Sequence, residues 1–117
     1  MQIQVNTDKH VQGSAELIAQ VEARLEGALS RFSDRITRVE VQLSDQNSSQ
    51  KSGSNDKRCV LEARLTGMQP IEVSADGSTL EQALDGATKN LSKLLTRTLE
   101  RLDNTRGRTS YAGEQTD

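Results

Sequence analysis

The chain has 117 residues, with 15 Lys+Arg against 17 Asp+Glu and a formal net charge of −2. It holds one Cys, one His, one Pro and no Trp, which excludes an intrachain disulfide scaffold, the usual metal clusters and Cys/His nucleophile pairs. No run of 18 apolar residues is available to span a membrane, and the MQIQVNT start lacks the basic and apolar regions of a secretory leader, so a reducing, cytoplasmic setting is expected.

In chain order, Gln2-Ile3-Gln4-Val5-Asn6 alternates polar and apolar residues and predicts a half-buried strand. Residues 7–13 make a polar connection. Ser14 is an N-cap, Glu16 suits the positive end of a helix, and Ile18, Val21, Leu25, Leu29 and Phe32 recur at helical steps as far as about Ser33. In Ile36–Ser44, Val39, Val41 and Leu43 share one face and Arg38, Glu40 and Gln42 the other. Residues 45–57 are rich in Ser, Asn, Gln and Gly and predict a mobile hairpin loop. Arg58–Thr66 is a third strand with Cys59, Leu61, Ala63 and Leu65 inward, and Ile71, Val73 and Ala75 belong to a fourth. Ser78 with Glu81 reads as a capping box. A helix of about 24 residues then carries Leu80, Leu84, Ala87, Leu91, Leu94, Leu95, Thr98 and Leu102 at its own period.

Leu, Ile, Val and Phe total 25, and none lies in 45–57 or 103–117. Burial must therefore come from one unit over residues 1–102, followed by a disordered tail over 103–117. The order is β-α-β-β-β-α, and every strand has one apolar and one polar face. A sheet buried on both faces would read as continuous apolar runs. The expected class is α+β: a two-layer sandwich with a four-stranded sheet and both helices on one face. The first β-α-β is a parallel crossover and the later strands an antiparallel meander.

Little in the chain suggests catalysis. Neither a GxxxxGK[ST] nor a GxGxxG motif occurs. Cys59 reads as a small buried hydrophobe, and His10 as a surface imidazole without a carboxylate at catalytic spacing. Asp85-Gly86 reads as a packing feature that lets the helix approach the sheet. No metal, cofactor or small-molecule site is expected, and the protein is not expected to be an enzyme.

Charge is more informative. Lys89, Lys93, Arg97 and Arg101 are spaced four apart on the second helix, where Glu100 is the one acid of residues 86–102. Arg24 and Arg31 share a line on the first helix, and Arg35 and Arg38 open the next strand. Two readings stay open: a solvated face whose cations suit the C-terminal dipole, or a stripe that tracks nucleic-acid phosphates. The polar sheet face has no aromatic residue for base stacking, so nucleic acid would be held by its backbone and shape.

The element order, the Phe32-Ser33-Asp34-Arg35-Ile36 corner, Ala75-Asp76-Gly77 and Ala83-Leu84-Asp85-Gly86 resemble the bacterial ribosome hibernation-promoting factors, also called ribosome-associated translation inhibitors, in their short form. The run Leu91, Lys93, Leu95-Thr96-Arg97 and Arg101-Leu102 extends the resemblance over about residues 1–102. It implies a fold like a double-stranded RNA-binding domain with an added first strand. It also implies a protein, monomeric when free, that binds the small ribosomal subunit in stationary phase or stress and sterically blocks the mRNA and tRNA sites. The RNA-binding positions it implies are Lys93, Arg97 and Arg101, with Lys89, Arg24, Arg31, Arg35 and Arg38 as further candidates; a usual family Lys is Asn90 here. The alternative is a protein-interaction module using the polar sheet face or an edge strand.

Overall fold

The computed structural model describes residues 1–45 and 56–110, with 103–110 described by their backbone alone. The expected flexibility of the 45–57 loop and of the tail falls largely on residues 46–55 and 111–117, which lie outside the described residues. Strands β1 (Gln2–Thr7), β2 (Ile36–Asp45), β3 (Lys57–Leu65) and β4 (Ile71–Gly77) form one sheet in the order β1-β2-β3-β4. Helix α1 (Ala15–Ala28) carries the parallel crossover from β1 to β2, and helix α2 (Leu80–Ser110) follows β4. The β2–β3 and β3–β4 pairs are antiparallel. This is the α+β arrangement that the alternating strands imply.

Alternation along the strands sets the core. Val39, Val41 and Leu43 of β2 and Cys59, Leu61, Ala63 and Leu65 of β3 are buried. They form one cluster with Val21 and Leu25 of α1 and Ala83, Leu84, Ala87, Leu91, Leu95 and Leu99 of α2. Ile71 and Val73 are half-buried, as befits the edge strand β4. Gln42 and Ser74 are exposed on the opposite face, while Glu62 is partly covered by its neighbours.

The local signals hold with several shifts. Ser14 caps α1, its Oγ accepting from Leu17 N–H at 3.1 Å. The α1 pattern, expected to run on to Ser33, ends at Ala28 and passes into a 3₁₀ turn over Ser30–Phe32, which still buries Phe32. The connection after β1, expected to be polar, buries Val11. The cap of α2 is Thr79 rather than Ser78: Thr79 Oγ1 accepts from Gln82 N–H at 3.0 Å, and Gln82 Oε1 accepts from Ser78 N–H at 3.1 Å. The sequence S-T-L-E-Q offers two overlapping capping boxes; the side-chain cap of the second forms, while the Gln82 side chain returns to Ser78 rather than to the Thr79 N–H. Asp45 and Lys57, expected in the loop, are cross-strand partners, with Lys57 Nζ 3.6 Å from the Asp45 carboxylate.

The largest difference is the length of α2. Periodicity ends near Leu102, yet the backbone stays helical through Ser110, where a disordered tail was expected. Once a helix is nucleated, each added residue gains a backbone hydrogen bond without a further nucleation cost, so helical backbone can outrun its apolar stripe. The buried stripe itself runs through Leu84, Thr88, Leu91, Leu95 and Leu99, while Leu94, Thr98 and Leu102 are half-buried at its flank.

Two glycines set how closely α2 meets the sheet. A Cβ on Gly77 would lie 2.7 Å from the Ala83 backbone nitrogen, and one on Gly86 would lie 3.0 Å from Ala75 Cβ. The packing role expected for Gly86 is therefore present in the structure.

Candidate nucleic-acid interface

The basic side of α2 follows from its buried side. Steps of four residues turn 400°, so Lys89, Lys93, Arg97 and Arg101 follow a slowly drifting line. All four are exposed. Because α2 continues to Ser110, Lys89 and Lys93 lie well inside the helix. The helix dipole acts within the last turn, so it does not account for these positions.

Arg31 joins the stripe from another element. It sits in the 3₁₀ turn, and its Nη2 donates to Thr96 Oγ1 of α2 at 2.8 Å. Its guanidinium lies 4.7 Å from the Phe32 ring centroid, a cation–π contact. Arg31, Ser92, Lys93, Thr96 and Arg97 line a shallow groove of about 290 Å³. Among the described residues, no carboxylate pairs with Arg31, Lys89, Lys93 or Arg97.

The remaining candidates lie elsewhere. Arg24 forms an ion pair with Asp85, tying α1 to α2 beside a cleft of about 500 Å³ whose lining includes Leu17, Val21, Leu43 and Leu84. Arg35 is half-buried at the corner before β2, where its carbonyl accepts from Thr66 N–H at 3.1 Å. Arg38 lies on the sheet's outer face, bonded to Gln4 and 3.1 Å from Glu40. The structure thus brings together Arg31, Lys93 and Arg97, keeps Lys89 and Arg101 on the same helix line, and engages Arg24 with Asp85 and Arg38 with Gln4 and Glu40. Asn90 is engaged with the sheet, its Nδ2 donating to the Ser74 carbonyl of edge strand β4 at 3.2 Å.

The sheet's outer face has the opposite character. The register aligns Gln4, Glu40, Glu62 and Glu72 across all four strands. Arg64 lies 3.8 Å from Glu40 and 3.7 Å from Glu62. Arg58 Nε donates to Asp76 Oδ1 at 2.9 Å, which holds the Asp76 carboxyl below its ordinary value and raises the Arg58 guanidinium. Lys57 is likewise raised, first by its hydrogen bond to Asp56. Burial pushes the Cys59 thiol up to about 12, so it is not a nucleophile at neutral pH. Among the described residues, no group of three or more His, Cys, Asp and Glu is placed to hold a metal ion, and no helix is long and apolar enough to cross a membrane.

Thr96 and Ser92 escape sequence reading because Ser and Thr inside a helix usually bond back to the preceding turn. Thr96 does so, donating to Ser92 O at 2.9 Å. That its oxygen also meets an arginine 65 residues away has no local signal.

Residues 3–103 match the family described as Sigma 54 modulation protein / S30EA ribosomal protein. The fold is similar to the Protein Y N-terminal domain of Thermus thermophilus, at a TM-score of 0.66 and 21% identity, covering 84% of this chain and 99% of that one. It is also similar to a ribosomal subunit interface protein of Coxiella burnetii, at a TM-score of 0.66 and 19% identity, covering 86% and 99%. No curated protein matches the chain.

Proposed function

The chain belongs to the sigma 54 modulation protein / S30EA ribosomal protein family, and on that premise we propose that it is a translation inhibitor that binds the small ribosomal subunit. In this reading residues 1–102 are the binding unit, and 103–117 are an appended tail. The domain acts by occupying space: it covers the mRNA and tRNA sites of idle cytoplasmic ribosomes in stationary phase or stress, without catalysis. It is a monomer when free.

One observation carries the reading. Arg31, Lys93 and Arg97 converge on one groove with no carboxylate among its lining residues. A chain with net charge −2 gains little from general attraction to RNA. A local cluster still releases counterions from the phosphates it meets, and proximity is what decides that gain. Lys89 and Arg101 lengthen the contact along α2, roughly 6 Å per four-residue step. The sheet face is a poorer RNA surface because its glutamates repel phosphate.

Co-sedimentation with small subunits across a salt series tests the proposal. The logarithm of the association constant should fall linearly with the logarithm of salt, by about 0.7–0.9 per phosphate neutralised. Reversing Lys93, Arg97 and Arg101 to Glu should lower affinity on the order of 10²-fold or more and flatten the slope by about one for each phosphate no longer neutralised. Reversing Arg58 and Arg64 on the sheet should change affinity by less than about threefold, since in this reading that face does not meet the RNA and its charges are screened by salt. Equal losses from both reversals, or a salt-independent association, would instead favour a protein partner on the sheet face or edge.

A further inference from the structure

Arg31 differs from the other cations of the groove in being held before any ligand arrives. Its Nη2 bonds Thr96 Oγ1 at 2.8 Å, and its Cζ lies 4.7 Å from the Phe32 centroid. Phe32 is itself buried in the core and cannot follow a moving side chain. Thr96 is equally constrained, because its hydroxyl proton is committed to Ser92 O at 2.9 Å. Its lone pair is thereby turned toward Arg31. The hydroxyl is spent at both ends and is not a donor to a ligand; its effect is to aim the guanidinium.

We propose that Arg31, Ser92, Lys93 and Arg97 form a preorganised pocket for a single phosphate group, and that Thr96 is its positioning residue. The proposal rests on the RNA-binding reading above and deepens it by naming the ligand group and the residue that orients its principal donor.

Four features point to phosphate. The groove is lined by three cations and two hydroxyl residues, with no carboxylate. A carboxylate ligand is satisfied by one guanidinium fork, whereas a phosphate offers more acceptor oxygens and suits several converging donors. Arg31 contributes the planar fork, Lys93 and Arg97 add charge from successive turns, and Ser92 supplies a hydroxyl. The walls come from two elements, the 3₁₀ turn and α2, so a bound phosphate bridges them. Because Arg31 is already ordered, its rotamer entropy is lost on folding rather than on binding, which favours affinity without adding a contact.

The test separates this pocket from the RNA reading. Inorganic phosphate is titrated into the full chain at constant ionic strength, with chloride as the balancing ion and acetate in a parallel arm. The side-chain Nε–H signal of Arg31 and the backbone amides of 92–97 are followed by NMR. Phosphate should shift them saturably, and acetate should not. Thr96→Val keeps the side-chain shape and all the charges. It should weaken phosphate binding and ribosome association each by about three- to tenfold, the worth of one net hydrogen bond. The salt slope of ribosome association should be unchanged, since the number of cations is the same. Thr96→Ser should restore both affinities. Arg31→Lys, which keeps charge but loses the fork and the ring contact, should behave like Thr96→Val. An unchanged amide spectrum elsewhere shows that each variant is folded. Phosphate binding by Thr96→Val equal to the parent's overturns the proposal, as does a shift that chloride or acetate reproduces. A saturable, Thr96-dependent phosphate shift in a protein that ignores ribosomes leaves the pocket standing and removes the RNA reading instead.

Discussion

On the sheet's outer face Arg38, Arg58 and Arg64 each lie against a carboxylate of Glu40, Glu62 or Asp76. On the helix layer Lys89, Lys93 and Arg97 have no such partner among the described residues. The two surfaces carry similar residue types and differ in what stands beside them. Where strands pair, side chains at aligned register positions face one another, so the outer face collects glutamates and arginines into mutual contact. On α2 the stretch Lys89, Lys93 and Arg97 places cations four residues apart, and these like charges stay solvated until a polyanion arrives. A net charge of −2 conceals this division, because the acids are concentrated away from the helix stripe.

Several measurements would break or sharpen the contrast. The stripe is useful only while α2 is pinned to the sheet, and Leu91, fully buried among the core residues, is one of the pins. Leu91→Ala should cost about 2–5 kcal/mol in urea unfolding, the range for a buried leucine that leaves a cavity. A cost below about 1 kcal/mol would mean that α2 is held by something other than its apolar face.

The sheet face should respond in the other direction. Glu62 stands between Glu40 and Glu72 in the aligned row. Glu62→Thr removes the central like charge and places a β-branched residue in the strand, and Arg64 keeps Glu40 as a partner. Stability should rise by about 0.2–1 kcal/mol, with ribosome association unaltered. A loss of stability would show that the Glu62–Arg64 contact outweighs the repulsion.

The smallest effect concerns Arg58 and Asp76. The Asp76 pKa is lowered in the folded protein, first by its hydrogen bond to Arg58. The stability this contributes is present above the unfolded carboxylate value and is lost as pH falls through the lower folded value. Asp76→Asn should therefore lower stability slightly at neutral pH and abolish that part of the acid dependence. Both groups are exposed, so the effect should shrink in high salt. A difference between parent and variant that persists unchanged at low pH would assign the effect to packing instead.

The core is readable because each element advertises its buried face at its own period. Val39, Val41, Leu61 and Leu91 follow from alternation or helical spacing alone, and all four are buried. Boundaries are harder. Overlapping capping signals at Ser78 and Thr79 differ by one residue, and in the folded chain it is Thr79 that accepts from the Gln82 N–H. The extent of α2 escapes the pattern because residues 103–110 have no Leu, Ile, Val or Phe to mark a period, while backbone hydrogen bonding continues without one.

The candidate site divides in the same way. Lys93 and Arg97 are legible as a stripe, since neighbours on one helix are separated by a known angle. That Arg31 meets Thr96, that Arg24 is taken by Asp85, and that Asn90 reaches the Ser74 carbonyl required the packed structure. Local sequence determines which side chains share a face, because the repeat angles of helix and strand are properties of the backbone. Which faces meet, and so which cations keep a partner and which stay open to an anion, is decided where distant segments are brought together by burial of a common core.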